Sequence, residues 1–163
     1  MKPDASHSPS VQTIISGGQT GVDRAALDFA LDHGFDCGGW IPRGRRTEDG
    51  PLPPRYPLTE LETPNYKDRT LRNVQDSDGT LILTRGAPTG GTAYTLACAQ
   101  RHARPFWVVD LDKDVDPLGV RAWLHLNQIS RLNVAGPRAS KHPDIYHLSN
   151  YFLKVVFQRS TTP

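Results

Sequence analysis

The stretch "VQTIISGGQTGVDRAALDFALDHG", Val11 to Gly34, reads as three local structures in succession. "VQTIIS" is a short, β-prone apolar run that stops at Gly17, the pattern of a buried strand. From Val22 the apolar side chains recur at Ala25, Ala26, Phe29 and Ala30, with Asp23, Arg24, Asp28 and Asp32 on the other side, which predicts an amphipathic helix to about His33, closed by Gly34. Between them lies a turn carrying Gly17, Gly18 and Gly21. A strand that passes through a glycine turn into a helix is the repeating unit of a parallel sheet covered by helices.

The unit recurs along the chain. Phe35 to Ile41 reads as a second strand, followed by an irregular, proline-rich loop from Pro42 to about Asn65, long enough to serve as a lid or binding loop. A helix is expected from Tyr66 to about Asp76, with Leu71 and Val74 as its core contacts, and then the strand "GTLILT", Gly79 to Thr84. After the turn "RGAPTGG" come a helix from about Thr92 to His102, the strand "PFWVVD", a helix from about Pro117 to Asn127, and a strand from Ile129 to Ala135. The last helix runs from Pro143 to about Gln158, with Ile145, Leu148, Phe152 and Val155 on one side. This alternation predicts an α/β, doubly wound fold with a mainly parallel sheet, as one domain over residues 11–163. Residues 1–10 are polar and rich in Ser and Pro, and are expected to form a disordered tail.

Composition narrows the function. The net charge of +2 over 163 residues is too small to imply nucleic-acid binding. No run approaches the roughly 18 apolar residues of a membrane span, and the amino-terminus lacks a signal-type apolar segment, so a cytoplasmic protein away from the membrane is expected. Cys37 and Cys98 stand in no metal or disulfide pattern and read as buried free thiols, and the histidines have no metal spacing, so no dedicated protein metal site is expected. Trp40, Trp107 and Trp123 read as core or interface residues.

In an open parallel sheet, ligands bind outside the carboxyl ends of the strands. The strand ends here are "SGGQTG", "PRGRR", "TRGAPTGGT" and "NVAGPRAS". In the first, the glycines let backbone N–H groups come close to a ligand and, with the positive end of the following helix, suit an anion; close packing of strand on helix selects glycine equally well. The stretch is neither a Walker motif nor the dinucleotide fingerprint. Asp23 serves either the helix dipole or a ligand. Gly90, Gly91 and Thr92 repeat the arrangement at the start of a helix, with Thr92 as a plain helix cap the alternative. Arg43, Arg45 and Arg46 in the loop can pair with phosphate or remain solvated surface charge, and Lys67, Arg69 and Arg72 extend the same argument. Asn133 can read a ring edge or satisfy loop backbone, and Arg138 adds a cation.

Taken in order, "GGQTGVDRAALDFA", "GGWIPRGRRTEDGPLP", "YKDRTLRNVQDSDGTLIL", "TGGT" and "NVAGPRAS" resemble the molybdenum carrier family, a branch of the SLOG superfamily, from about Val11 to Gln158. The resemblance implies a Rossmann-like fold that binds and shields the molybdenum cofactor, a pyranopterin phosphate carrying molybdenum through a dithiolene, without turnover. It implies ligand contacts from Gly17, Gly18, Gln19, Thr20, Gly21, Arg43, Thr89, Gly90, Gly91, Thr92, Asn133 and Arg138, and Asp23 joins them as a candidate from its place beside the first turn. It also implies a homo-oligomer, dimer or tetramer, with molybdoenzymes or cofactor-biosynthesis proteins as partners. Relatives that hydrolyse phosphoribosyl nucleotides carry a glutamate after their glycine motif; "PTGGTAYTLA" has no carboxylate in that turn. Two alternatives stand beside the carrier: a binder of ADP-ribose or AMP, and a nucleotide hydrolase using Asp23 or Glu48.

Overall fold

The computed structural model describes residues 10–113 and 115–158; of the expected tail over residues 1–10, residues 1–9 lie outside it, as do residues 159–163. Five strands form the central sheet: β1 (Thr13–Ile15), β2 (Asp36–Gly38), β7 (Gly79–Thr84), β8 (Phe106–Asp110) and β9 (Arg131–Ala135). Between β2 and β7 lie the short strands β3 (Trp40–Ile41), β4 (Arg46–Thr47), β5 (Gly50–Pro51) and β6 (Thr59–Glu60). The helices are α1 (Val22–His33), α2 (Tyr66–Gln75), α3 (Gly90–Arg101), α4 (Pro117–Leu126) and α5 (Ile145–Val156).

The central strands lie in the order β2-β1-β9-β7-β8, every neighbouring pair parallel. The last strand in sequence therefore sits at the middle of the sheet. Counted as if the chain began at β9, the order becomes 3-2-1-4-5, that of a dinucleotide-binding Rossmann sheet. The direction of winding reverses between β9 and β7, so the crevice at their carboxyl ends is where such a fold places its ligand.

Alternation along the strands assigns the two faces. Leu81, Leu83, Leu132 and Val134 pack with Phe29, Trp123 and Phe152 into the main core, under α1, α4 and α5. The intervening Thr80 and Asn133 stand opposite one another in register and turn to the other face, where α2 and α3 pack together. The doubly wound α/β expectation holds, with helices on both faces of a parallel sheet. α1 ends as its sequence predicts: Gly34 adopts a left-handed conformation (φ 75°) and donates its N–H to Ala30 O.

Four local expectations are corrected. Phe35 to Ile41 is not one strand, because Gly39 turns the chain out of the sheet at φ 137°, where a Cβ would strike the Ser16 carbonyl. Trp40–Ile41 pairs with Thr59–Glu60 instead. The loop after Pro42 is not an open lid. Ile41, Leu52, Tyr56 and Leu58 bury a small core against Leu27, and Arg45 donates to the carbonyls of Leu52 (2.9 Å), Leu58 (3.1 Å), Pro53 (3.0 Å) and Tyr56 (2.7 Å). Five donors on a rigid fork suit that task, and they leave Arg45 unavailable to a phosphate. α3 begins at Gly90 rather than Thr92, with Thr89 in the cap position. In α5 the buried face is Ile145, Ser149, Phe152, Leu153 and Val156; Leu148 is exposed, because the helix turns its face by one residue to meet α1. No helix of the described residues is long and apolar enough to cross a membrane.

Candidate functional site

A cavity of about 290 Å³ opens at the carboxyl ends of β1, β9 and β7, on the face covered by α2 and α3. A larger hollow, about 490 Å³, lies between the carboxyl ends of α1 and α5 beside Phe29, Phe35 and Phe157, away from the strand ends where a Rossmann sheet holds its ligand. The smaller cavity collects the polar groups. Gly17, Gln19 and Asp23 form one side and Gly90, Gly91, Thr92 and Thr95 another; Asn133 forms the floor, and Arg138 and Lys141 stand at the rim after β9. From α2 come Tyr66, Arg69, Thr70 and Asn73.

The first glycine turn is filled by its own chain. Gly18 donates its N–H to Ser16 Oγ (3.3 Å), Gln19 to Asp23 Oδ2 (3.4 Å), Thr20 to Gln19 Oε1 (3.0 Å), and Val22 at the start of α1 to the Pro137 carbonyl (3.3 Å). Here the Asp23 carboxylate occupies the position an anion would take against the turn. Its glycines are set by packing: a Cβ on Gly18 would lie 2.9 Å from Leu52 Cδ2, and one on Gly21 would overlap the Pro137 carbonyl. The second turn differs. Thr89 makes no side-chain cap, and its carbonyl takes the N–H groups of Thr92 and Ala93 (3.1 and 3.2 Å). A Cβ on Gly91 would meet nothing within 4 Å, and one on Gly90 would meet only Lys141 Nζ, at 2.8 Å. The amino-terminus of α3 thus faces open space with a cation beside it.

Two opposite charges are buried in the wall. Asp23 and Arg69 are each 7% exposed. Burial pushes the Asp23 carboxyl up to about 6, against the opposing pull of Arg69, the Gln19 N–H and Arg24. Burial also lowers Arg69 from its ordinary value, while Asp23 and Tyr66 act to raise it. Arg69 donates through Nη1 to the Gly17 carbonyl, and its guanidinium lies over the Tyr66 ring, 5.3 Å from the centroid. On the floor, Asn133 Nδ2 donates to Thr80 Oγ1 at 3.2 Å, fixing its amide.

Glu48 binds the loop to the site. It accepts from Thr20 Oγ1, from Ser140 N (3.1 Å) and from Ser140 Oγ (2.6 Å), with Arg138 Nε at 3.5 Å. Partial burial pushes its carboxyl up, but the hydrogen bonds from Ser140 and Thr20 and the Arg138 charge outweigh it and leave it below its ordinary value. Gln19 Oε1 accepts the Glu48 N–H at 2.9 Å from the other side. The β4–β5 hairpin is so fastened to the turns that follow β1 and β9.

Of the residues singled out in the sequence, Gly17, Gln19, Asp23, Arg69, Gly90, Gly91, Thr92, Asn133 and Arg138 line the cavity. Gly18, Thr20, Gly21 and Thr89 flank it, holding the turns together. Arg43 is exposed on the loop, its N–H on the Thr63 carbonyl, outside the cavity lining. The sequence reading passed over Tyr66, Thr70, Asn73, Thr95 and Lys141. A signal existed for the α2 residues: Tyr66, Arg69, Thr70 and Asn73 follow the i, i+3, i+4, i+7 spacing of one helix face, beside the expected core pair Leu71 and Val74. Among the described residues, no group of three or more His, Cys, Asp or Glu side chains gathers as a metal site.

Residues 14–157 match the model of the circularly permutated YpsA SLOG family. The chain belongs to that family. Its description agrees with the strand order, in which the strand at the centre of the sheet has moved to the carboxyl end of the sequence. The chain is also similar to a protein from Syntrophus aciditrophicus SB, named "Putative molybdenum carrier protein", whose crystal structure was determined at 1.45 Å resolution. The two are 44% identical over 93% of this chain and 98% of that one, with a TM-score of 0.88. A comparison with curated proteins finds no match.

Proposed function

We propose that this protein binds and shields the molybdenum cofactor as cargo, without turning it over. The observation that carries the reading is the second glycine turn: the open amino-terminus of α3, with Gly91 facing free space and Lys141 and Arg138 beside it, is a seat for a phosphate at one end of a polar cavity. The pterin lies toward the buried wall of Asp23, Arg69 and Asn133. The metal rides on the cofactor's own dithiolene, so the chain has to supply only shape, cations and hydrogen bonds. The similarity to a protein named as a molybdenum carrier supports the same reading. The cargo is taken from the enzymes that build it or handed to a molybdoenzyme, and the protein acts as a homo-oligomer in the cytoplasm.

Anaerobic native mass spectrometry against an equimolar mixture of the cofactor, ADP-ribose and AMP tests the proposal. Selective retention of the cofactor is expected, and Lys141→Ala weakens it about tenfold while flattening its salt dependence, as loss of one charge-assisted phosphate contact requires. Retention of an adenine nucleotide in its place makes the site a nucleotide binder instead.

A further inference from the structure

We propose that Asp23 and Arg69 together read the edge of a 2-amino-4-oxopyrimidine ring, the edge shared by pterins and guanine, and so exclude adenine from the cavity. The inference rests on the binding reading above and names the ring chemistry of that same site.

Asp23 Oδ2 takes one long hydrogen bond, from the Gln19 N–H at 3.4 Å, and Arg69 places one of its donors, Nη1, on the Gly17 carbonyl. Among the described residues, Ser149 Oγ is the fully buried side-chain polar atom left without a partner, so the unbonded edges of Asp23 and Arg69 are open to the cavity rather than sealed in the core. A buried carboxylate and a buried guanidinium with spare capacity are costly unless a ligand completes them. Both line the same cavity and sense one another's charge, so together they offer it a pair of acceptor oxygens and a set of donors. The complementary edge is donor, donor, acceptor: an exocyclic amine, a ring N–H and a carbonyl oxygen, in that order. Guanine and pterin carry it. Adenine offers an amine beside a ring nitrogen lone pair, which meets the Asp23 carboxylate as acceptor against acceptor. Adenine fits only when Asp23 carries a proton to donate.

The two ring types therefore respond to pH in opposite senses. The charged and titratable groups facing Asp23 are Arg24 on its own helix, Arg69 and Tyr66 on α2, and Arg138 and Lys141 after β9; α3 presents Thr92 and Thr95. With the carboxyl near 6, a donor–donor edge binds best above that value and an adenine edge below it.

Isothermal titration of the full-length protein with GMP, IMP and AMP, which share sugar and phosphate, tests the assignment. At pH 7.5 GMP is expected to bind roughly ten- to a hundredfold tighter than AMP, with IMP, which lacks the exocyclic amine, between them. The GMP/AMP ratio, in which the common phosphate titration cancels, falls as pH drops from 7.5 to 5, and Asp23→Asn removes that slope. Equal affinities for GMP and AMP, or a ratio indifferent to pH, overturn the ring assignment while leaving the phosphate seat intact, provided that Lys141→Ala weakens both. Failure of all three nucleotides to bind overturns the ring assignment as well, and retention of the molybdenum cofactor by the same preparation then decides whether the carrier reading survives it.

Discussion

The two glycine turns of this protein have nearly the same composition and opposite uses. In the turn at residues 17–21 the amides of Gly18, Gln19 and Thr20 close on acceptors of their own chain, and a Cβ at Gly18 or Gly21 would run into Leu52 or Pro137. In the turn before α3 the helix amino-terminus is left open, and a Cβ at Gly91 would touch nothing. A glycine-rich strand-to-helix turn thus has two physical meanings, room for backbone and room for ligand. Which applies depends on what the rest of the chain brings to it.

The largest expected effect breaks the first turn. Gly21→Ala places a side chain at φ 82° against the Pro137 carbonyl, so it should lower stability by about 3 kcal/mol or more, measured by urea unfolding. A variant as stable as the parent would mean that the first turn is not closed by packing.

Next in size is the carboxylate inside that turn. The fold raises Asp23 from 3.8 to about 6 and so favours its protonated form. The associated stability is complete below about pH 4 and is lost as pH rises through about 6, a change of up to about 3 kcal/mol. Unfolding midpoints of the parent and Asp23→Asn, taken from pH 4 to 7, should therefore diverge in favour of the variant as pH rises. Parallel curves would show that the charge on Asp23 is compensated in the fold.

The smallest effect on stability belongs to the second turn. Gly91→Ala should change unfolding free energy by no more than about 1 kcal/mol, since alanine suits a helix better than glycine, yet it should weaken phosphate-bearing ligands about tenfold by filling the open seat. Unaltered affinity would move the phosphate elsewhere in the cavity.

Much of the architecture was legible because it is local. Hydrophobic periodicity fixed α1, β7 and β8 to within a residue or two, and the repeated alternation of strand and helix implied a parallel sheet. The carboxyl-end rule pointed to the turns that do line the cavity. Arg45 and Leu148 show where such reading fails. Arg45 sits among loop arginines that look free to meet a phosphate, but its partners are carbonyls up to thirteen residues along the chain, brought near by the burial of Leu52 and Leu58. Leu148 lies on an apolar stripe of α5, but where α5 packs on α1 it is Ser149 that is buried and Leu148 that is exposed.

The sequence by itself determined the units of this protein: which segments are strands, which are helices, and which turns carry too little side chain for ordinary packing. Those properties follow from neighbours within a few positions, where periodicity and glycine's missing Cβ act. Only the tertiary structure decided that β9 sits between β1 and β7, that Asp23 rather than a ligand faces the first turn, and that Arg69 joins it in the wall. These depend on pairing and burial between residues more than a hundred positions apart in the case of β1 and β9, an energy that no local pattern records.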